Sequence, residues 1–137
     1  MKLLVCAAAL SVTAAAYAAE PIAFGDPGLG WQAVNQQFSG AIASRYPAGA
    51  AFAATAADIA ANGFTCEAVP RPANPAAALA APSHECIRET REAGCNREWA
   101  IELREAGGRL TAPAAGSFAT MCVGEILPAK RSKAYQN

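Results

Sequence analysis

Four cysteines are the side chains of this chain with the clearest capacity for covalent chemistry. They are Cys66, Cys86, Cys95 and Cys122, at spacings of 20, 9 and 27 positions. These spacings contain no Cys-x-x-Cys pair and fit no standard zinc pattern. Small exported domains commonly use an even set of cysteines as disulfides, so we predict two structural bridges. Three pairings are possible, and the tendency of consecutive strands to be neighbours favours Cys66–Cys86 and Cys95–Cys122.

The export inference comes from the first nineteen residues. Lys2 is followed by an apolar run over residues 3–16 and by the small-x-small sequence Ala16-Tyr17-Ala18. This pattern predicts a cleaved signal peptide at 1–19 and a periplasmic or secreted protein. The run is shorter than the roughly 20 residues that span a bilayer, so we expect no stable membrane insertion after cleavage. A lipid anchor at Cys6 is disfavoured because Val5 is too large for an acylation motif.

Enzyme chemistry has few candidates in this sequence. His84 is the only histidine, and no Gly-x-Ser-x-Gly sequence is present. Ser83 precedes His84, but the two would point to opposite faces of a strand. We therefore predict no catalytic, cofactor or metal-binding residue. A small hydrolase that uses glutamates, Glu98 for example, and His84 is the alternative.

The balance of charge in the chain indicates which classes of partner it favours. Without Lys2, ten basic and eleven acidic residues remain, which does not favour nucleic acid. Residues 128–137 are polar and carry three basic side chains, so we predict a flexible tail there. We predict an envelope protein or a secreted protein as the partner.

Two helices are predicted in the first half of the mature chain. One covers residues 31–46, where large apolar side chains recur every three or four positions: Trp31, Val34, Phe38, Ile42 and Tyr46. Trp31 and Trp99 are interpreted as core anchors. The second helix covers the alanine-rich residues 49–62, and Asn62-Gly63-Phe64 is typical of a left-handed helix end in which Phe64 contacts Ile59.

Short strands are predicted in the second half, at 64–69, 109–111 and 117–123. Residues 84–90 and 97–104 are predicted as a hairpin joined through 93–96, because Trp99, Ile101 and Leu103 alternate with polar residues. A helix over part of 84–106 is the alternative, since Asn96 could cap it and Gly107 could end it. Asn74 before Pro75 could start a single helical turn.

Together these elements predict an α+β fold. Two N-terminal helices would pack on a three- to five-stranded antiparallel sheet held by two disulfides. The domain would cover residues 31–127, after a flexible, glycine- and proline-rich lead-in at 20–30.

The order of these elements resembles that of known exported proteins. Two helices run into Asn62-Gly63-Phe64-Thr65-Cys66, followed by a meander with Cys86, Cys95, Trp99 to Leu103 and Cys122. This arrangement is similar to small exported bacterial proteins with the architecture of the outer-membrane assembly lipoprotein BamE and of β-lactamase inhibitory protein. The resemblance implies binding rather than catalysis. We predict a disulfide-stabilised, non-catalytic interaction domain, with a structural envelope component as a further alternative.

Overall fold

A computed structural model describes residues 20–26 and 28–122 of this chain. The predicted signal peptide at 1–19, with Cys6, lies outside the described residues, and so does the predicted tail at 128–137.

Helix α1 (Trp31–Arg45) forms where the apolar spacing predicts it, and α2 (Phe52–Ala61) forms within the predicted alanine-rich range 49–62 but starts three residues later. Helix α2 ends in the predicted cap, because Gly63 has a φ of +87° and its N–H donates to the carbonyl of Ala60. The N–H of Phe64 donates to the carbonyl of Ile59, and both side chains lie in the core. This is a Schellman motif, which turns the chain from α2 into the first strand.

The strands are β1 (Thr65–Ala68), β2 (His84–Glu92), β3 (Cys95–Leu103), β4 (Glu105–Ala106), β5 (Arg109–Leu110) and β6 (Ala115–Cys122). Four of them form an antiparallel sheet in the order β1-β2-β3-β6, while β4 and β5 pair separately. A short helix α3 (Pro75–Ala80) crosses between β1 and β2 and is capped by the predicted Asn74 side chain. The α+β prediction, with helices preceding an antiparallel sheet, is confirmed.

Residues 84–103 form strands and not the alternative helix. The connection is shorter than predicted, since Ala93 and Gly94 alone make the turn and Cys95 and Asn96 belong to β3. Both turn residues have positive φ, which suits the twist of a two-residue hairpin. β2 continues two residues beyond its predicted end and β3 begins two residues before its predicted start, so the predicted faces persist.

The core lies between the helices and one face of the sheet, here called the inner face. Phe38 and Ile42 of α1 and Ile59 of α2 are fully buried against Ile101 and Leu103 of β3. The alternation in β3 therefore follows its predicted faces.

Both predicted disulfides are present. Cys66 pairs with Cys86 across β1 and β2, and Cys95 pairs with Cys122 across β3 and β6. In each case the two residues are direct partners in the strand register, so the sheet itself brings the sulfurs together. Two bridges fit an oxidising, exported environment.

The lead-in at 20–30 has an irregular backbone as expected, but it packs into the domain. Ile22 is 4% exposed and donates its N–H to the Asn62 side chain. Phe24 stacks against Phe38 and Phe64 at centroid distances of 6.1 and 6.0 Å. The lead-in thus contributes to the core.

A polar cluster joins the lead-in to both helices. The Arg45 guanidinium donates to both carboxylate oxygens of Asp58 at 2.8 and 3.0 Å and also to the carbonyl of Glu20. The Tyr46 hydroxyl donates to Asp58 at 2.7 Å. The hydrogen bond from Arg45 is the main cause that lowers the pKa of Asp58, and burial, then the hydrogen bond to Asp58, raises the pKa of Tyr46. The cluster therefore stays ionised at Asp58 and neutral at Tyr46 around pH 7.

Candidate functional site

An open groove lies on the inner face of the sheet, toward the Ala93-Gly94 turn. Helices α1 and α2 cover the rows of the sheet that contain Cys86, Ile101 and Leu103, where the core lies. The next rows toward the turn lie beside the lead-in and the N-terminal half of α1, whose Asn35 side chain accepts a hydrogen bond from the Phe118 N–H, and a groove of about 340 Å³ opens there. The groove runs between β2, β3 and β6 on one side and the lead-in with the first turn of α1 on the other.

Four aromatic side chains line this groove: Phe24, Trp31, Trp99 and Phe118. Trp99 of β3 and Phe118 of β6 are direct cross-strand partners, with ring centroids 5.1 Å apart. Phe24 of the lead-in meets Trp99 edge to face at 5.4 Å. The indole N–H of Trp99 donates to the carbonyl of Phe24 at 3.3 Å, so the ring is fixed by a polar contact as well as by packing.

Two large apolar side chains at the rim are exposed. Leu29 is 43% and Trp31 is 57% accessible to solvent. The interpretation of Trp31 as a core anchor is therefore wrong. Phe24 of the lead-in supplies the aromatic ring in this part of the core, next to Phe38, and Trp31 lies at the mouth of the groove instead.

The groove also contains charge. Arg88 and Arg97 line it, together with the carboxylate of Glu92 and the Cys95–Cys122 bridge. Arg97 donates to Glu92 at 2.8 Å. The guanidinium carbon of Arg88 lies 4.4 Å from the centroid of the Phe24 ring, which is a cation–π contact.

Contacts between the lead-in and α1 hold the wall of the groove. Gly25 has a φ of +86°, and a Cβ there would lie 3.0 Å from a methyl carbon of Val34, so the chain passes α1 too closely for a side chain. The Asp26 N–H donates to the Gln37 side chain at 3.0 Å. These contacts place Phe24 and Leu29 beside the strands, although neither disulfide joins the lead-in to the sheet.

The candidate residues for catalysis do not form one site. His84 lies on the inner face against Phe52, whereas Glu85 and Glu98 lie on the outer face of the same sheet. Ser83 and His84 would point to opposite faces only if both lay in a strand, but Ser83 precedes β2 and its Oγ lies 3.1 Å from His84 Nδ1. The Ser83 oxygen also contacts the Leu103 carbonyl and the Glu105 N–H, and within residues 20–26 and 28–122 no carboxylate hydrogen-bonds His84.

The outer face of the sheet carries a row of glutamates. Glu85 is the direct partner of Glu67 on one side and of Glu102 on the other, and Glu89 is opposite Glu98. Burial, then the charges of Glu102 and Glu98, raise the pKa of Glu85. Arg104 approaches Glu102 at 3.9 Å and partly offsets this repulsion.

Replacing Glu85 by glutamine is expected to stabilise the protein at pH 7 by a few tenths of a kcal/mol, up to about 1, since like charges directly opposite in a sheet destabilise it. The raised pKa means that the folded protein binds this proton more tightly than the unfolded chain does. Stability contributed by Glu85 is therefore present at low pH and is lost as the pH rises through the folded pKa. The gain from Glu85→Gln should disappear below pH 4.

Chemical denaturation of the wild type and of Glu85→Gln at several pH values measures this difference. Glu92→Gln is the control, because it removes the same charge from the same strand but loses the contact with Arg97. The electrostatic explanation would be contradicted if Glu92→Gln stabilised the protein at pH 7. It would also be contradicted if the gain in stability from Glu85→Gln persisted at low pH.

Neither a metal site nor a membrane-spanning helix occurs among the described residues. No group of three or more His, Cys, Asp or Glu side chains with the geometry to hold a metal ion occurs among the described residues. None of their helices combines the length and the apolar character that crossing a membrane requires.

Comparison with known proteins found no match. The chain matches no family model, no curated protein sequence and no solved structure.

Several groove residues, among them Phe24, Arg88 and Phe118, carried no functional prediction from the sequence. A signal for Arg88 was present, because Cys86, Arg88 and Thr90 alternate along β2 and so share a face. Phe24 had no such signal, since it lies in an irregular segment.

Proposed function

We propose that this protein is a non-catalytic interaction domain of the periplasm or the extracellular space, and that the aromatic groove binds a partner protein. The observation that carries the proposal is the exposure of Trp31 beside a groove floored by Trp99 and Phe118. Aromatic side chains around a concave, partly apolar surface are typical of protein-binding sites, and tryptophan is enriched among the residues that dominate binding energy.

The position of Ile22 supports the assignment to an exported compartment. Ile22 is buried three residues after the predicted cleavage point, so cleavage there would leave this core residue in the mature chain. The two disulfides suit the same compartment. We further propose an architecture like that of BamE and of β-lactamase inhibitory protein, which would favour a binding role.

Replacing Trp31 by alanine is expected to weaken partner binding about tenfold or more, as is typical when a tryptophan that dominates binding energy is truncated. The oxidised protein would first be used to capture a partner from an envelope extract. The captured protein would then be purified, and its affinity for each variant would be measured by calorimetry.

Leu79→Ala is the matched control, because Leu79 is a large apolar residue that is 81% exposed on α3 and does not line the groove. The affinity of this control should equal that of the wild type. Equal affinities for all three proteins would exclude the groove as the binding site, and the absence of any captured partner would count against the function itself.

A further inference from the structure

The charge inside the groove is unbalanced. Among the described residues that line it, Glu92 is the only one with a carboxylate, and its charge is matched by Arg97 at 2.8 Å. Arg88 is different: within the described ranges, no carboxylate oxygen lies within 4.0 Å of its guanidinium. The groove therefore carries one unmatched positive charge.

The hydrogen-bonding capacity of Arg88 is also largely unused inside the described protein. A guanidinium has five N–H donors, and Arg88 makes one long hydrogen bond, at 3.4 Å, to the carbonyl of Asn62. Its other contact is the face of the Phe24 ring. Stacking on a ring leaves the donors at the edge of a guanidinium available, and their fork geometry matches a carboxylate.

The outer face of the sheet carries mainly negative charge, which is opposite to the charge in the groove. Five glutamates lie there: Glu67, Glu85, Glu89, Glu98 and Glu102. A negatively charged partner would be repelled by this outer face and attracted to the groove, whereas a basic partner would be drawn the other way. Charge complementarity thus selects an acidic partner for the groove.

We propose that the groove recognises an acidic peptide segment of the partner protein, with an apolar side chain between Trp31 and Phe118 and a carboxylate on Arg88. This inference rests on the proposed function and specifies the chemistry of the partner. A tight site of this kind combines an apolar anchor with one oriented charge.

A random peptide library displayed on phage tests the proposal, using the full-length oxidised protein as bait. Wild-type protein should enrich peptides in which Asp or Glu lies within a few positions of a large apolar residue. The best peptide would then be synthesised with its acid intact and with that acid replaced by the neutral amide, Asn or Gln. The amide form should bind the wild type about tenfold more weakly, as expected for loss of a charge-assisted hydrogen bond.

Arg88→Gln should bind both peptides equally, at the affinity of the wild type for the amide form. Arg88→Lys keeps the charge but not the fork, and should restore only part of the preference. Arg91→Gln is the matched control, since Arg91 lies on the same strand but on the outer face, and its preference should equal that of the wild type. Thermal melts establish that each variant is folded, and the amide substitution in the peptide tests the same contact without altering the protein.

Other outcomes overturn the inference in distinguishable ways. Enrichment of apolar peptides without acids would leave the groove as a binding site but remove the carboxylate, and enrichment of basic peptides would reverse the sign of the partner. Binding to phosphatidylglycerol vesicles that is lost in Arg88→Gln, without peptide enrichment, would assign the charge to a membrane surface. Concentration-dependent dimerisation that is lost in Trp31→Ala would make a second copy the occupant. No enrichment and no binding of any kind would refute the proposed function as well.

Discussion

Replacing Cys66 and Cys86 together by alanine is expected to lower the free energy of unfolding by about 3 kcal/mol. The bridge closes a loop with a sequence separation of 20, and its loss restores conformational freedom to the unfolded chain. Cys86 is fully buried, so the truncated side chain also leaves unfilled space in the core. Chemical denaturation with and without the substitutions measures the change.

The second bridge provides the comparison. Cys95 and Cys122 are separated by 27 positions and line the groove, so their replacement should cost a similar loop entropy but less core packing. Removal of both bridges would subtract about 6 kcal/mol from a total that is typically 5–15 kcal/mol. A doubly bridgeless protein that unfolds at the same denaturant concentration as the wild type would show that the disulfides contribute nothing to stability.

Replacing Gly116 by valine is expected to destabilise the protein by about 3 kcal/mol, the upper end of the usual cost of overpacking a core. Gly116 of β6 lies directly under α1, and a Cβ there would be 2.9 Å from Ile42 Cγ1 and 3.2 Å from Phe38 Cδ1. Both of those side chains are fully buried and have no space into which to move. Thermal or chemical denaturation measures the loss.

Gly40→Ala is the matched control for this substitution. Gly40 is inside α1, and a Cβ added there meets nothing within 4 Å. Alanine should therefore stabilise the helix by about 0.5–1 kcal/mol, through its higher helix propensity. Opposite signs at positions 40 and 116 would confirm that close approach of α1 to β6 is the cause, whereas equal effects would point to glycine content alone.

Features that depend on neighbouring residues could be predicted well from the sequence. The cap at Asn62-Gly63-Phe64 and the helical turn started by Asn74 involve contacts within one turn of the chain. The apolar spacing of α1 and the alternation in β3 likewise follow from the helical and strand periods. The Cys66–Cys86 pairing could be inferred because chain neighbours β1 and β2 are also neighbours in the sheet, and it left Cys95 and Cys122 as the second pair, across β3 and β6.

Features of the candidate site could not be predicted in this way. Trp31 continues the apolar stripe of α1, and nothing in that stripe reveals that Phe24 takes its place in the core. The two-residue turn at Ala93-Gly94 sets which side chains are opposite one another, and it brings Trp99 opposite Arg88. Each of these facts depends on residues far apart in the chain.

The sequence by itself therefore determined most of the helices and strands and the α+β class and favoured the disulfide partners, since these follow from local conformational preference and from the order of strands. The tertiary structure alone decided which part of the inner face lies in an open groove. Arg88, Trp99 and Phe118 line that groove, and five glutamates lie on the outer face. The physical reason is that a period fixes which side chains share a face, whereas packing between distant segments decides which faces are buried.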